Sequence, residues 1–356
     1  MTRDIQSHLS TEQWAYLHGK PALTGTLKQT PQDFVVKEVL GFTPTNSGEH
    51  SFLWIKKTNL NTAYVAELLA KFCQVPLRNI GYAGRKDKRA ETYQWFSVYH
   101  ASRPKPDWNK FKQEDMEIVN RTFHDKKLKT GSLRGNTFSI NIQLHQAPCE
   151  TWLDERMKAI SEQGVPNYFG QQRFGEMQTR EGNMVLNGNL RLGERLLAGE
   201  AIKNRNKRSM VISALRSWLF NQMLSERIER GLFDCLLVGD VLQLSGSKSY
   251  FVCTKDEFSR NNQRRVDRDV QLTASLWGQG KPLSRDDALV FESSVVNEYR
   301  ILGDKLTELG LKQERRATVL YVKDLDYQVD SDILKLKFEL PSGAFATSVI
   351  REIVST

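Results

Sequence analysis

The chain has 356 residues, 39% of them hydrophobic, with 51 Lys and Arg against 42 Asp and Glu for a net charge of +9. That length allows two domains or one core with a large insertion, and the mixture of strand-like and helix-like patterns indicates an α/β or α+β protein. No apolar run is long enough to span a bilayer, and the polar start Met1-Thr-Arg-Asp-Ile-Gln6 carries no signal peptide, so the cytoplasm is the expected location. The positive excess favours a phosphate-rich partner. Cys73, Cys149, Cys235 and Cys253 form no CxxC pair, and the six histidines lack metal-ligand spacing, so reduced thiols and no zinc site are expected.

Residues 1–20 form a polar lead-in that Trp14, Tyr16 and Leu17 would pack onto the body. In Asp33-Phe-Val-Val-Lys-Glu-Val39 the alternation predicts a strand with Phe34, Val36 and Glu38 on one face. Ser51–Ile55 predicts a second strand. A helix from Asn61 follows, with Val65, Leu68, Leu69 and Phe72 on its apolar side, Asn61 or Thr62 as its cap and Pro76 barring continuation.

Next comes Gly81-Tyr-Ala-Gly-Arg-Lys-Asp-Lys-Arg-Ala-Glu-Thr-Tyr-Gln94, with a strand resuming at Trp95. Asp87 is the only carboxylate among Arg85, Lys86, Lys88 and Arg89, and the surrounding cations favour its ionised form and attract a polyanion. A loop between two strands is also where a rigid scaffold displays working side chains. On composition alone, a solvated basic loop balanced by Asp87 explains the same residues.

Ala101 to Glu114 reads as a loop, and Lys126–Lys129 is a basic cluster. Thr137 to Leu144 alternates without a fault and predicts a strand burying Phe138, Ile140, Ile142 and Leu144, with Asn136 closing a turn beside Gly135. Cys149 to Gly164 predicts a helix with Trp152, Leu153, Met157 and Ile160 on one side. The glycine- and aromatic-rich run Asn167-Tyr-Phe-Gly-Gln-Gln-Arg-Phe-Gly175 follows.

From about 176 to 320 the texture changes. A short helix over Leu190–Ala198, a basic run Ile202–Arg208, a long helix near Ser209–Arg230, strands at Leu236–Leu244 and Tyr250–Cys253, and a second basic run Arg260–Arg268 suggest an inserted domain. Strands at Ala317–Val322 and Ile333–Leu340 then return to the first texture. The chain closes on Leu340-Pro-Ser-Gly-Ala-Phe-Ala-Thr347 and the segment Ser348–Ile353.

The run Gly84-x-Lys86-Asp87-Lys88-x-Ala90-x-Thr92-x-Gln94 resembles the central motif of the tRNA pseudouridine synthase D family. Leu133-x-Gly135-Asn136-x-Phe138, the run Asn167–Gly175 and the string from Leu340 to Thr347 resemble others, so the likeness spans nearly the whole chain. It implies that Asp87 is the nucleophile and Lys28 the basic residue beside it. It further implies that Phe34, Asn136, Phe138 and Phe345 meet the target nucleotide, with Phe138 stacking on the uracil. Arg85, Lys86, Lys88, Arg89, Arg173, Lys207 and Arg208 are the basic residues assigned to RNA phosphate.

The implied fold is an α/β (α+β) pseudouridine-synthase-like catalytic domain, residues 1–163 and 320–356, on a mixed, mainly antiparallel sheet. Residues 164–319 would form an inserted RNA-binding domain. The implied reaction turns a specific uridine in the D-arm region of transfer RNA into pseudouridine. It breaks a C1′–N1 bond and forms a C1′–C5 bond, so it needs no redox change, donor, cofactor or metal. Asp87 could attack C1′, attack C6 or take a proton from C2′. The expected partner is tRNA, with no protein partner implied and a monomer expected. Two rivals stand beside this reading: a non-catalytic RNA chaperone, and a metal-dependent nuclease using Asp87 with Glu38 or Glu91, disfavoured because the cations would compete with the metal.

Overall fold

Alternating apolar residues build most of one large sheet. The computed structural model describes residues 9–87, 89–100, 104–178 and 184–356. The described residues divide into two compact units: a sheet unit of Pro21–Glu162, Tyr321–Ala344 and Ile353–Thr356, and a second unit of Met1–Lys20, Gln163–Leu320 and Phe345–Glu352.

In the sheet unit the chain runs through β1 (Gly25–Leu27), β2 (Phe34–Leu40), β3 (His50–Thr58), α1 (Thr62–Phe72), β4 (Ile80–Tyr82), β5 (Glu91–Tyr99), β6 (Met116–His124), β7 (Leu133–Leu144) and α2 (Glu150–Gln163). A hairpin of Lys323–Asp330 and Ile333–Pro341 completes the sheet. The order is Lys323–Asp330, Ile333–Pro341, β7, β2, β5, β3, β6, with β1 added to β7 and β4 to β5. Its pairings are antiparallel except the parallel β2–β5 pair. The mixed, mainly antiparallel sheet matches the expectation.

The two-residue period is realised where it is cleanest. Phe138, Ile140, Ile142 and Leu144 of β7 are buried, as are Leu334, Leu336 and Phe338, which pair with Ile142, Ile140 and Phe138 across the ladder, and Leu340, which pairs with Asn136. Val65 and Leu69 of α1 pack into a core with Leu53, Ile55, Phe96 and Val98. The expected turn at Asn136 is instead strand, because β7 starts at Leu133 and pairs Gly135 with Pro341. A Cβ at Gly135 would collide with the Leu340 carbonyl, so close approach of the strands, rather than a bend, selects glycine there. β6 and the strand Lys323–Asp330 were not foreseen, since their alternating faces are mostly exposed and polar.

The second unit is built around the helix Arg205–Glu229, which carries Val211, Leu215, Trp218, Leu219 and Met223 in its core. It begins earlier than the expected Ser209 because Asn204 caps it through the Lys207 N–H at 2.9 Å, so the basic run is its first turns. Helices Asp286–Glu298 and Arg300–Glu308 pack on the same core. Trp14 stacks on Tyr168 at 5.6 Å, which seats the lead-in within this unit.

A four-stranded sheet of Tyr250–Val252, Val241–Leu244, Val270–Leu276 and Glu314–Ala317 lies here too. The expected strand Leu236–Leu244 shrinks to Val241–Leu244 because Asp240 folds the preceding residues around Arg227. Its carboxylate takes that guanidinium at 2.7 Å and the Leu237 N–H at 2.8 Å. Among the described residues, no helix is long and apolar enough to cross a membrane.

Candidate active site

The loop carrying Asp87 leaves β4 and re-enters the sheet at β5, beside β2. It is held from below by neutral polar groups. The Lys86 N–H donates to Thr62 Oγ1 at 3.0 Å, the Thr62 hydroxyl donates to Gln94 Oε1 at 3.0 Å, and Gln94 Nε2 donates to the Gly84 carbonyl at 2.6 Å. Thr62 therefore serves the loop. Neither it nor Asn61 makes the expected side-chain cap on α1.

Lys86 is also pinned through its ammonium, which bonds Asn136 Oδ1 at 2.7 Å and pairs with Glu38 Oε1 at 3.0 Å. Glu38 and Asn136 face each other across the β2–β7 ladder, so the sheet register delivers both to one lysine. The second Glu38 oxygen accepts the Trp95 N–H at 2.8 Å. Burial pushes the Glu38 carboxyl up, with the Lys86 charge and the Trp95 hydrogen bond opposing. A pinned Lys86 fixes the backbone that presents its neighbour Asp87.

Asp87 is partly open, its side chain 16% exposed, and pairs with Lys28 Nζ at 3.2 Å. Lys28 follows β1 with φ of 60°, a left-handed conformation uncommon outside glycine, so local backbone strain accompanies its placement. Its ammonium sits 4.0 Å from the centre of the Phe34 ring. Phe34 meets Phe138 edge-on at 6.2 Å, and Phe138 stacks on Phe338 at 5.4 Å. The structure thus gathers Asp87, Lys28, Phe34, Phe138, Asn136 and Lys86 around one loop.

The remaining assigned residues are placed otherwise. Lys86, expected among the phosphate contacts, is 6% exposed and committed to Glu38 and Asn136, so it is corrected from surface cation to loop anchor. Arg85 and Arg89 are exposed, and Lys88 lies outside the described residues. Phe345, Arg173, Lys207 and Arg208 belong to the second unit. There Phe345 packs edge-on against Phe169 at 5.9 Å, while Lys207 and Arg208 are exposed on the first turns of the long helix. The carboxylates weighed as metal partners are engaged by lysines, Glu38 by Lys86 and Glu91 by Lys56 at 2.9 Å.

Sequence reading missed Lys57. It is fully buried on β3 in register with Leu53 and Ile55, and its ammonium donates to the Leu60 carbonyl at 2.6 Å. Burial pushes this ammonium down to about 8 while the Asp87 charge pulls the other way. The available signal was a charged residue at an apolar position of a strand, which applies to Glu38 as well.

A family model for tRNA pseudouridine synthase D (TruD) matches residues 11–209 and 199–353. The tRNA pseudouridine synthase D of Pseudoalteromonas atlantica is 47% identical over 342 residues, 96% of each chain. The chain belongs to the tRNA pseudouridine synthase D family. The Aeromonas salmonicida member is 44% identical over 347 residues, covering 96% of this chain and 94% of that one. The fold is shared with a crystal structure assigned to TruD from Methanosarcina mazei, at TM-score 0.72 and 23% identity over 95% of both chains. Family membership makes this chain one of a class of isomerases, and the loop carrying Asp87 is where its chemistry is sought.

Proposed function

We propose that this chain isomerises a specific uridine in the D-arm region of transfer RNA to pseudouridine, with Asp87 as its catalytic carboxylate. The observation that carries the reading is the Lys28–Asp87 pair at 3.2 Å beside the Phe34 and Phe138 rings. Attack at C1′, attack at C6 and proton removal at C2′ all use the same Asp87 oxygen, so the assignment of the residue is independent of the route. Lys28 holds that oxygen in place, and the fixed Lys86 orients the backbone behind it. Phe34, Phe138 and Asn136 border the position assigned to the everted base, which needs an aromatic or apolar partner once out of its stack.

Phosphate contacts are assigned to exposed Arg85, Arg89, Lys207 and Arg208, and Phe345 is assigned to the nucleotide by resemblance. Contacts of this kind supply affinity and position, with RNA shape selecting the site. The functional division follows residues 1–163 with 320–356 for catalysis and 164–319 for RNA. The chain is taken to act as a cytoplasmic monomer. No cofactor enters, because the reaction exchanges one glycosidic bond for another within the same nucleotide.

Carbodiimide mapping of tRNA incubated with the wild-type chain and with Asp87→Asn tests this directly. The wild type should create one modified uridine and the variant none. An RNA chaperone would keep its effect on tRNA after the substitution. Equal modification by both proteins would remove Asp87 from the chemistry.

A further inference from the structure

A buried cation underlies the turn that supports the Asp87 loop. Lys57 is fully buried on β3, on the face that carries Leu53 and Ile55 into the core. The Leu60 carbonyl, at 2.6 Å, is its one hydrogen-bond acceptor among the described residues, and no described carboxylate forms an ion pair with it. An ammonium has three protons to donate, so this one is short of acceptors. Opposite it in the β3–β5 ladder, Thr92 Oγ1 is buried with no hydrogen-bond partner among the described residues. Polar groups buried in this way cost free energy and call for a reason other than stability.

The bond to Leu60 closes the turn between β3 and α1, and that turn grips the Asp87 loop at three points. Thr62, two residues beyond Leu60, accepts the Lys86 N–H at 3.0 Å. Its hydroxyl donates to Gln94, which holds the Gly84 carbonyl at 2.6 Å. The Asn59 N–H reaches the Ala90 carbonyl at 3.4 Å, on the far side of the loop. Thr62 and Gln94 are as buried as Lys57, so water does not compete along this path.

We propose that Lys57 is a positioning residue for the reaction: as an ammonium it locks the β3–α1 turn, and the turn holds the loop that presents Asp87. The inference rests on the reading of Asp87 as the catalytic carboxylate. A charged donor holds a carbonyl about twice as strongly as a neutral one, so loss of the proton loosens the turn. The charged groups facing Lys57 are Asp87 and Lys86, both on the loop and of opposite sign. Thr92 and Met116 lie across the ladders and do not titrate, and the α1 groups Tyr64, Glu67 and Lys71 are exposed. Glu91 is taken by Lys56 at 2.9 Å. Burial pushes the Lys57 ammonium down to about 8, so the lock opens as the pH passes that value.

The test measures single-turnover pseudouridine formation at saturating tRNA from about pH 6.5 to 9, for wild type, Lys57→Met and Lys57→Arg. Rates are compared as ratios, from which titration of the RNA cancels. Near neutral pH the wild type should exceed Lys57→Met by about 10-fold at similar tRNA affinity. That ratio should fall toward unity as the pH passes about 8, where the wild type lacks the same charge. Arginine stays protonated throughout, so the wild type should likewise lose ground to Lys57→Arg over that window. Deprotonating Lys57 stabilises the fold, so a wild-type rate that falls there does not come from unfolding. A wild-type to Lys57→Met ratio that does not fall with pH would overturn the inference, whether the variant is fast or slow. If Lys57→Met melts below the wild type, the same criterion applied to Lys57→Arg decides. Asp87→Asn serves as the control. Pseudouridine formation retained by Asp87→Asn removes the proposed function and this inference together, whereas an inactive Asp87→Asn beside a ratio that does not fall removes this inference alone.

Discussion

Replacing Glu38 by Gln asks whether the buried network holds the Asp87 loop. The substitution keeps side-chain shape and removes one charge. In the folded protein the Glu38 side chain is fully buried, with one oxygen on Lys86 and the other on the Trp95 N–H. A Gln there has one acceptor oxygen for two donors, and its NH2 group faces a donor. Lys86, 6% exposed, is left with Asn136 Oδ1 as its remaining hydrogen-bond acceptor.

Breaking a buried pair by neutralising one partner costs about 3–5 kcal/mol. That is a large fraction of an ordinary domain's stability. Lys86 adjoins Asp87 in the chain, so its displacement shifts the carboxylate, and a shift near 1 Å costs about 100-fold in rate. Equilibrium urea unfolding reads the first effect, and single-turnover pseudouridine formation reads the second. The double replacement Glu38→Leu with Lys86→Met should recover much of the stability, because an apolar pair of similar volume is often neutral or better, yet should stay slow. If Glu38→Gln keeps wild-type stability within about 0.5 kcal/mol and wild-type single-turnover rate, the network does not position the loop.

Lys28→Met removes the charged hydrogen bond to Asp87, worth about 1.5–3 kcal/mol, so the single-turnover rate should drop by roughly 10- to 150-fold with little change in tRNA affinity. A variant as fast as wild type would detach Lys28 from the reaction. Lys57 carries a pH signature. Its ammonium is pushed down to about 8 from the ordinary 10.5, so between those values the folded chain binds fewer protons than the unfolded one. Its contribution to stability therefore rises with pH through that window, by up to about 3 kcal/mol. Lys57→Met should abolish that rise in urea-derived stability, and an equal rise in the variant would contradict the assignment. In the second unit, Asp240→Ala leaves Arg227 buried without its counter-ion and should destabilise by about 3–5 kcal/mol, monitored by denaturation. A loss under about 1 kcal/mol would mean that the Leu232 and Cys235 carbonyls suffice for Arg227.

Part of this molecule was legible in one dimension because a strand's side chains alternate with a period of two. Where one face is apolar and the other polar, as in Thr137–Leu144 and Ile333–Leu340, register and burial follow from the residues themselves. The Asp87 segment was legible as a loop between two strands, whereas its composition alone fitted a solvated basic loop equally well and only the spaced motif's resemblance to a family singled out the acid. Polar-faced β6 gave no such contrast, and the Asp240 turn hid inside an apolar run because its cause is an arginine thirteen residues earlier.

The tertiary structure alone decided the duties of residues that the motif presents as alike. Lys86 and Arg85 are adjacent cations, yet one is buried against Glu38 and Asn136 while the other is exposed, because only folding brings β2 and β7 alongside the loop. It likewise decided that residues 9–20 and Phe345–Glu352 pack with Gln163–Leu320, and that Arg173 and Arg316 both lie near the Phe169 ring. These are long-range pairings between segments far apart in the chain. Local periodicity carries no information about them, since the free energy that selects them arises only when distant surfaces bury each other.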